Sequence, residues 1–193
     1  MNFDPWRHYY RARFFLLLKK PERAIEEYRL ALAANPNFTL ALNCLAFLHA
    51  SHLQFTDAER YFRQALDIEP GNAGALFNLG FVQEKLGERE RAIDSFREAV
   101  RLKPAMDRAW YGMGLAYAAL GRHAEAAQAL QEAASLQPMN PHAWYNLGMA
   151  YHTLHNPDKV KEVILHLHRF DPKMSHKLIV DTQRSDLSHL IGV

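Results

Sequence analysis

The sequence predicts an all-α protein built from tandem antiparallel helix pairs, because prolines, small residues and large apolar residues recur along it with one period. Five of the nine prolines in the 193 residues are spaced 34 residues apart. They are Pro36, Pro70, Pro104, Pro138 and Pro172. A fixed period of this length indicates repeated supersecondary units that stack on one another.

A small, a large and a small residue precede each of the first four prolines at fixed distances. In the first unit these residues are Ala24, Tyr28 and Ala31, and the next three units keep the pattern. Offsets of four and three residues lie on one face of a helix. We therefore expect each proline to end a helix whose small residues admit a neighbouring helix and whose large residue fills the space between them.

A second pattern comes earlier in the units and predicts the first helix of each pair. Leu79-Gly80, Met113-Gly114 and Leu147-Gly148 recur at 34-residue intervals. Gly87 and Gly121 then interrupt the pattern and suit a left-handed turn. Each unit is therefore expected to contain two antiparallel helices joined by a tight turn, with no β-strand.

Polar residues at the start of the expected helices suggest N-terminal caps. Asn72, Asp107 and Asn140 can each cap the first helix of a unit. Thr56 with Glu59 suggests a capping box for the second helix of the second unit.

These motifs closely resemble the tetratricopeptide repeat family. The matching segments are Trp144–Gly148 (WYNLG), Trp110–Gly114 (WYGMG) and Ala92–Phe96 (AIDSF). The resemblance implies an all-α, right-handed superhelix (α-solenoid) of five antiparallel helix-pair repeats with a C-terminal capping helix. The predicted array spans 1–174, and a capping or docking segment spans 175–193. The predicted units are 5–38, 39–72, 73–106, 107–140 and 141–174.

Composition and charge exclude several classes of function. The net charge of +2 is too balanced to indicate a nucleic-acid partner. No apolar run approaches the roughly 20 residues that cross a bilayer, so we expect a cytoplasmic protein with no membrane span. With Cys44 as the only cysteine and no phosphate-binding glycine loop, we expect no catalytic residues, no metal and no cofactor.

Function is expected on the concave surface of the superhelix, which the first helices line in the family that this chain resembles. The lining residues are those that the Leu-Gly-Tyr packing face does not use. They are Tyr9, Arg13, Asn43, Phe47, Phe77, Asn78, Phe81, Arg108, Tyr111, Leu115, His142, Tyr145, Asn146 and Met149. Tyr10 and Cys44 share this phase. An exposed aromatic stripe indicates an interaction site, although some of these rings could instead pack between first helices.

The sequence therefore favours a non-enzymatic adaptor whose concave aromatic groove binds a peptide or helix of a partner protein. The Lys and Asn pattern with which some family members clamp chaperone tails is missing, which argues against that role. Self-assembly is the alternative, either by end-to-end stacking or by docking of residues Leu187–Ile191 into another copy. A regulatory arm of an enzyme is a third possibility.

Overall fold

The structure is a computed structural model that describes residues 4–190. Every regular element within this range is helical, which confirms the all-α fold class. The helices are α1 (Pro5–Leu17), α2 (Pro21–Ala34), α3 (Thr39–Ser51), α4 (Phe55–Ile68), α5 (Ala73–Lys85), α6 (Arg89–Leu102), α7 (Asp107–Ala119), α8 (His123–Leu136), α9 (Pro141–Thr153), α10 (Pro157–His168) and α11 (Pro172–Asp181), followed by a 3-10 helix (Ser185–Leu190).

Consecutive helices pair in both of the compact units into which the chain divides. In the first unit, Met1–Leu102, α1 pairs with α2, α3 with α4, and α5 with α6. In the second unit, Lys103–Val193, α7 pairs with α8 and α9 with α10, while α11 packs against both α9 and α10. The five-repeat division stays a prediction, and α11 begins at Pro172, inside the predicted fifth unit.

The small-large-small pattern of the second helices forms the core, as the sequence predicts. Tyr28 is fully buried on α2 and Leu130 is fully buried on α8. On α7, a Cβ atom added to Gly114 would lie 2.7 Å from Cγ of Leu130. Because real Cβ atoms do not approach so closely, glycine at this position permits the close contact between α7 and α8.

Two of the three predicted first-helix caps are confirmed. Oδ1 of Asn72 accepts a hydrogen bond from the backbone N–H of Ala75 at 3.0 Å. Oδ1 of Asn140 accepts from the backbone N–H of His142 at 3.1 Å. Asp107 is instead the first helical residue of α7, after Met106 at the cap position.

The predicted Thr56 capping box is wrong, because α4 begins one residue before Thr56. Leu53 is in the left-handed conformation, with φ of 60°. The turn closes when the backbone N–H of Gln54 donates to the carbonyl of His49 at 2.9 Å. Gln54 therefore takes the cap position and Thr56 lies within the first turn of the helix.

The left-handed turns at Gly87 and Gly121 are confirmed, with φ of 81° and 75°. The same repeat position is also left-handed where no glycine is present. Lys19, Leu53 and His155 have φ of 56°, 60° and 53°. The backbone of these tight turns is therefore the same whether or not glycine supplies it.

The C-terminal segment packs on the last helix pair. Leu178 and Ile179 of α11 and Leu187 of the 3-10 helix are buried in one cluster with residues of α9 and α10. A Cβ atom on Gly148 of α9 would lie 2.5 Å from Cδ2 of Leu178. α11 thus covers the face that α9 and α10 present, while Ile191, at the end of the predicted docking segment, lies outside the described residues.

Candidate functional site

The predicted site residues lie on the first helix of each pair and recur at the same helical positions. Tyr9 on α1, Asn43 on α3 and Phe77 on α5 are each separated by 34 residues, and so are Tyr111 on α7 and Tyr145 on α9. A repeated position on stacked helices presents its side chains in a row within each unit. The two rows are described separately because they belong to different compact units.

Six of the predicted site residues are exposed. They are Arg13, Phe47, Phe81, Arg108, Leu115 and His142. Phe47 on α3 is 61% exposed, and Phe81 at the equivalent position of α5 is 44% exposed. Two large rings therefore face solvent on neighbouring first helices, where a partner could cover them.

Other predicted residues are shared between the site and the packing of the fold. Asn43, Phe77, Asn78, Tyr111, Tyr145, Asn146 and Met149 are half-buried. The ring of Phe77 lies 6.0 Å from that of Phe96. The carbonyl oxygen Oδ1 of Asn43 is buried and accepts no hydrogen bond from the described residues.

Tyr9 is buried, unlike the other predicted site residues. Its ring lies 5.4 Å from that of Phe38 and 5.8 Å from that of Tyr28, within the core of the first helix pair. Only an edge of Tyr9 remains available to line a neighbouring pocket.

A hydrogen bond joins two predicted site residues in the second unit. Nδ2 of Asn146 on α9 donates to the hydroxyl oxygen of Tyr111 on α7 at 3.0 Å. The same amide group donates to the backbone carbonyl of His142 at 2.8 Å. Burial raises the pKa of Tyr111, and the bond from Asn146 partly offsets that rise. The two side chains are therefore held in fixed positions.

The C-terminal helix α11 adds two residues that the sequence analysis missed. The hydroxyl of Tyr145 donates to Oδ2 of Asp181 at 2.6 Å. Nζ of Lys177 lies 4.6 Å from the centre of the Tyr145 ring. The bond to Asp181 and, second, burial raise the pKa of Tyr145 to about 12. These partners escaped sequence analysis because they stand outside the repeated first-helix positions.

The first unit contains an open pocket of about 600 Å³ on α1, α2 and α3. Its lining residues are Tyr9, Tyr10, Arg13, Phe14, Leu16, Leu17, Tyr28 and Cys44. The sequence analysis placed Tyr9, Tyr10, Arg13 and Cys44 on this face. It missed Phe14, Leu16 and Leu17, although the apolar run that contains them is visible in the sequence.

The site offers aromatic faces and hydrogen-bonding groups. Within residues 4–190, no cluster of three His, Cys, Asp or Glu side chains is arranged to hold a metal ion. None of the helices in this range combines the length and apolar composition that a membrane-spanning helix needs.

Sequence models of the tetratricopeptide repeat family match the chain at residues 46–107, 114–154 and 141–173. The chain therefore belongs to the tetratricopeptide repeat family. A comparison with curated protein sequences finds no match.

Solved structures with the same fold align over most of their length. A crystal structure of MamA protein has a TM-score of 0.80 at 22% identity, covering 97% of this chain and 98% of its own. YrrB, described as a TPR protein with an unusual peptide-binding site, has a TM-score of 0.80 at 22% identity, covering 92% and 90%. PilF of Pseudomonas aeruginosa has a TM-score of 0.75 at 20% identity, covering 90% and 80%. These likenesses show a shared fold.

Proposed function

We propose that this chain is a non-catalytic scaffold that binds a peptide or helix of a partner protein through its first helices. The exposure of Phe47 and Phe81 on the neighbouring helices α3 and α5 carries the proposal. Exposed large apolar side chains that recur at one position of a repeat are typical of an interaction surface. The unpartnered Oδ1 of Asn43 lies on the same helix as Phe47 and adds an acceptor for a partner's N–H.

The second unit supports the same proposal with a row of polar aromatic residues. Tyr111 and Tyr145 are each fixed by a hydrogen bond, from Asn146 and to Asp181 respectively. Rigid aromatic side chains lose little conformational entropy when a partner covers them, and they are common at binding hot spots. The peptide-binding site named for YrrB shows that this fold can carry such a role.

Paired substitutions test the proposal by quantitative capture of partners from the native host. Phe47→Ala with Phe81→Ala, and separately Tyr111→Ala with Tyr145→Ala, should reduce partner recovery by at least about tenfold, the effect of losing roughly 1–2 kcal/mol at a hot spot. The matched control is Leu136→Ala with Leu165→Ala, which removes two half-exposed side chains from second helices. Equal recovery by all variants, with circular dichroism showing intact helices, would contradict the proposal.

We also propose a cytoplasmic location, which cell fractionation with an antibody to the chain tests directly. The chain alone should recover with the soluble cytoplasmic fraction and should show no turnover in enzyme assays. Recovery in the membrane or secreted fraction would contradict the location.

Self-assembly is a second candidate, favoured by the exposed apolar side chains of α1. Tyr10 and Phe14 are 59% and 57% exposed on that helix. Docking of the C-terminal tail is the less favoured route, since Leu187 is buried within its own unit. Light scattering over a concentration series tests this candidate: a constant monomer mass would contradict it, and a rising mass that Phe14→Glu abolishes would support it.

A further inference from the structure

The exposed face of α1 is apolar along most of the helix. Trp6, Tyr10, Phe14 and Leu17 follow one another at steps of four, four and three residues, so they share one face. Leu17 is 79% exposed and Trp6 is 45% exposed. Tyr10, Phe14 and Leu17 also form one wall of the pocket of about 600 Å³. The pocket therefore continues into an exposed apolar stripe, which suits an elongated ligand better than an enclosed small molecule.

Arg13 is the only charged residue that lines this pocket. It forms no ion pair with any acidic side chain of residues 4–190. Arg11, two residues earlier on the same helix, has its guanidinium 2.9 Å from Oε1 of the buried Glu27. The charge of Arg13 is therefore available to a ligand, and residues 1–38 carry seven basic against four acidic side chains, a net charge of +3.

A second polar group lies at the base of the pocket. Tyr28 is fully buried, and its hydroxyl makes no well-aligned hydrogen bond with another group in the described part of the chain. The raised pKa of Tyr28 comes first from burial and then from the nearby Cys44 thiol. Because a buried hydroxyl without an acceptor costs about 1–3 kcal/mol, an acceptor oxygen delivered by a ligand would be favourable.

We infer that this pocket anchors an acidic linear segment of a partner protein. A bulky apolar side chain of that segment enters between Tyr10, Phe14 and Leu17, and an adjacent carboxylate pairs with Arg13. A backbone carbonyl or a second carboxylate oxygen accepts the hydrogen bond from Tyr28. The inference rests on the proposed function, since it names the chemistry of the partner that the scaffold would bind in its first unit.

Selection of random linear peptides displayed on phage against the full chain tests the inference. The enriched peptides should carry a bulky apolar residue next to Asp or Glu. Cys44 is the only cysteine in the chain and lines the pocket. A synthetic copy of the enriched peptide should therefore slow the reaction of Cys44 with a thiol reagent.

Charge reversal then locates the acidic contact. Arg13→Glu should weaken binding of the synthetic peptide by at least about tenfold, the usual scale for a charge-assisted contact. A peptide with Lys in place of its acidic residue should recover binding to Arg13→Glu. The matched control is Arg7→Glu, which makes the same charge change on the same helix outside the pocket, and circular dichroism verifies the fold of both variants.

The contrary outcomes separate this inference from the proposed function. Peptides that leave Cys44 reactive and bind Arg13→Glu normally, but fail to bind the Phe47→Ala and Phe81→Ala variant, would overturn the inference and leave the proposed function standing. Enrichment of basic peptides would overturn it as well. Concentration-dependent dimerisation that protects Cys44 without peptide would assign the face to a second copy of the chain. No enrichment of any peptide would count against both proposals.

Discussion

Tyr145 on α9 donates a hydrogen bond of 2.6 Å to Asp181 on α11, and this bond makes the C-terminal helix part of the surface that carries the predicted site residues of the second unit. Lys177 of the same helix lies over the Tyr145 ring. Any partner that covers Tyr145 would therefore also meet one positive and one negative side chain from α11.

Titration of Tyr145 tests this contact. The bond to Asp181 and burial raise the pKa of Tyr145 to about 12, above the value near 10 that unfolded tyrosine has. Asp181→Asn should lower that pKa, so one tyrosine should ionise earlier when tyrosinate absorbance is followed against pH. Tyr145→Phe identifies the contribution of this residue by difference. Superimposable titration curves for the wild type and Asp181→Asn would contradict the contact.

The same shift predicts a pH dependence of stability. Below pH 10, Tyr145 is protonated in both the folded and the unfolded chain, so the full stabilisation from the bond is present. Between about pH 10 and 12 the unfolded chain loses this proton first, and the stabilisation falls as the pH rises. The wild type should therefore lose more of its advantage over Tyr145→Phe in urea denaturation at pH 11 than at pH 8; an unchanged difference would argue against it.

The contact between Gly148 and Leu178 predicts a measurable coupling. Gly148→Ala places a Cβ atom 2.5 Å from Cδ2 of Leu178, so overpacking should lower the free energy of unfolding by about 1–3 kcal/mol. In a Leu178→Ala background the collision is gone, and alanine should be neutral or up to about 1 kcal/mol stabilising. Urea denaturation of both singles and the double variant measures the coupling. Gly74→Ala is the control, since its nearest atom is 3.4 Å away; additive effects would show that α11 does not pack on Gly148.

The left-handed turn at Leu53 predicts a stabilising substitution. Leu53 has φ of 60° and its side chain is 75% exposed, so its removal sacrifices little burial. A non-glycine residue in this conformation costs roughly 1 kcal/mol, so Leu53→Gly should raise the free energy of unfolding by about that amount. Leu53→Ala keeps the unfavourable conformation and should give no gain. Thermal unfolding of the two variants side by side distinguishes them, and a lower melting temperature for Leu53→Gly than for Leu53→Ala would refute the explanation.

The repeat made most of the fold predictable from the sequence. Ala24, Tyr28 and Ala31 recur with a period that fixes both the helix and its buried face, and all three are fully buried. The cap at Thr56 was mispredicted because no glycine marks the left-handed turn at Leu53. Side-chain chemistry predicts a turn only where the backbone requirement selects the residue.

The site was less predictable because repeat phase gives a direction along a helix but not the neighbours of a side chain. Phe47 and Phe81 face solvent as expected, whereas Tyr9 at a related position is buried against Phe38. The first-unit pocket depends on how α1, α2 and α3 come together around Tyr28. Such contacts join residues from separate helices, and a periodic pattern within one helix does not specify them.

Site-specific photo-crosslinking in the native host tests the central claim, that the first helices form the partner-binding surface. A photoreactive phenylalanine analogue replaces Phe47 or Phe81 on first helices, or Leu136 or Leu165 on second helices. The account predicts a discrete crosslinked partner from Phe47 and Phe81 and none from Leu136 and Leu165. A partner that crosslinks only from the second-helix positions would contradict it.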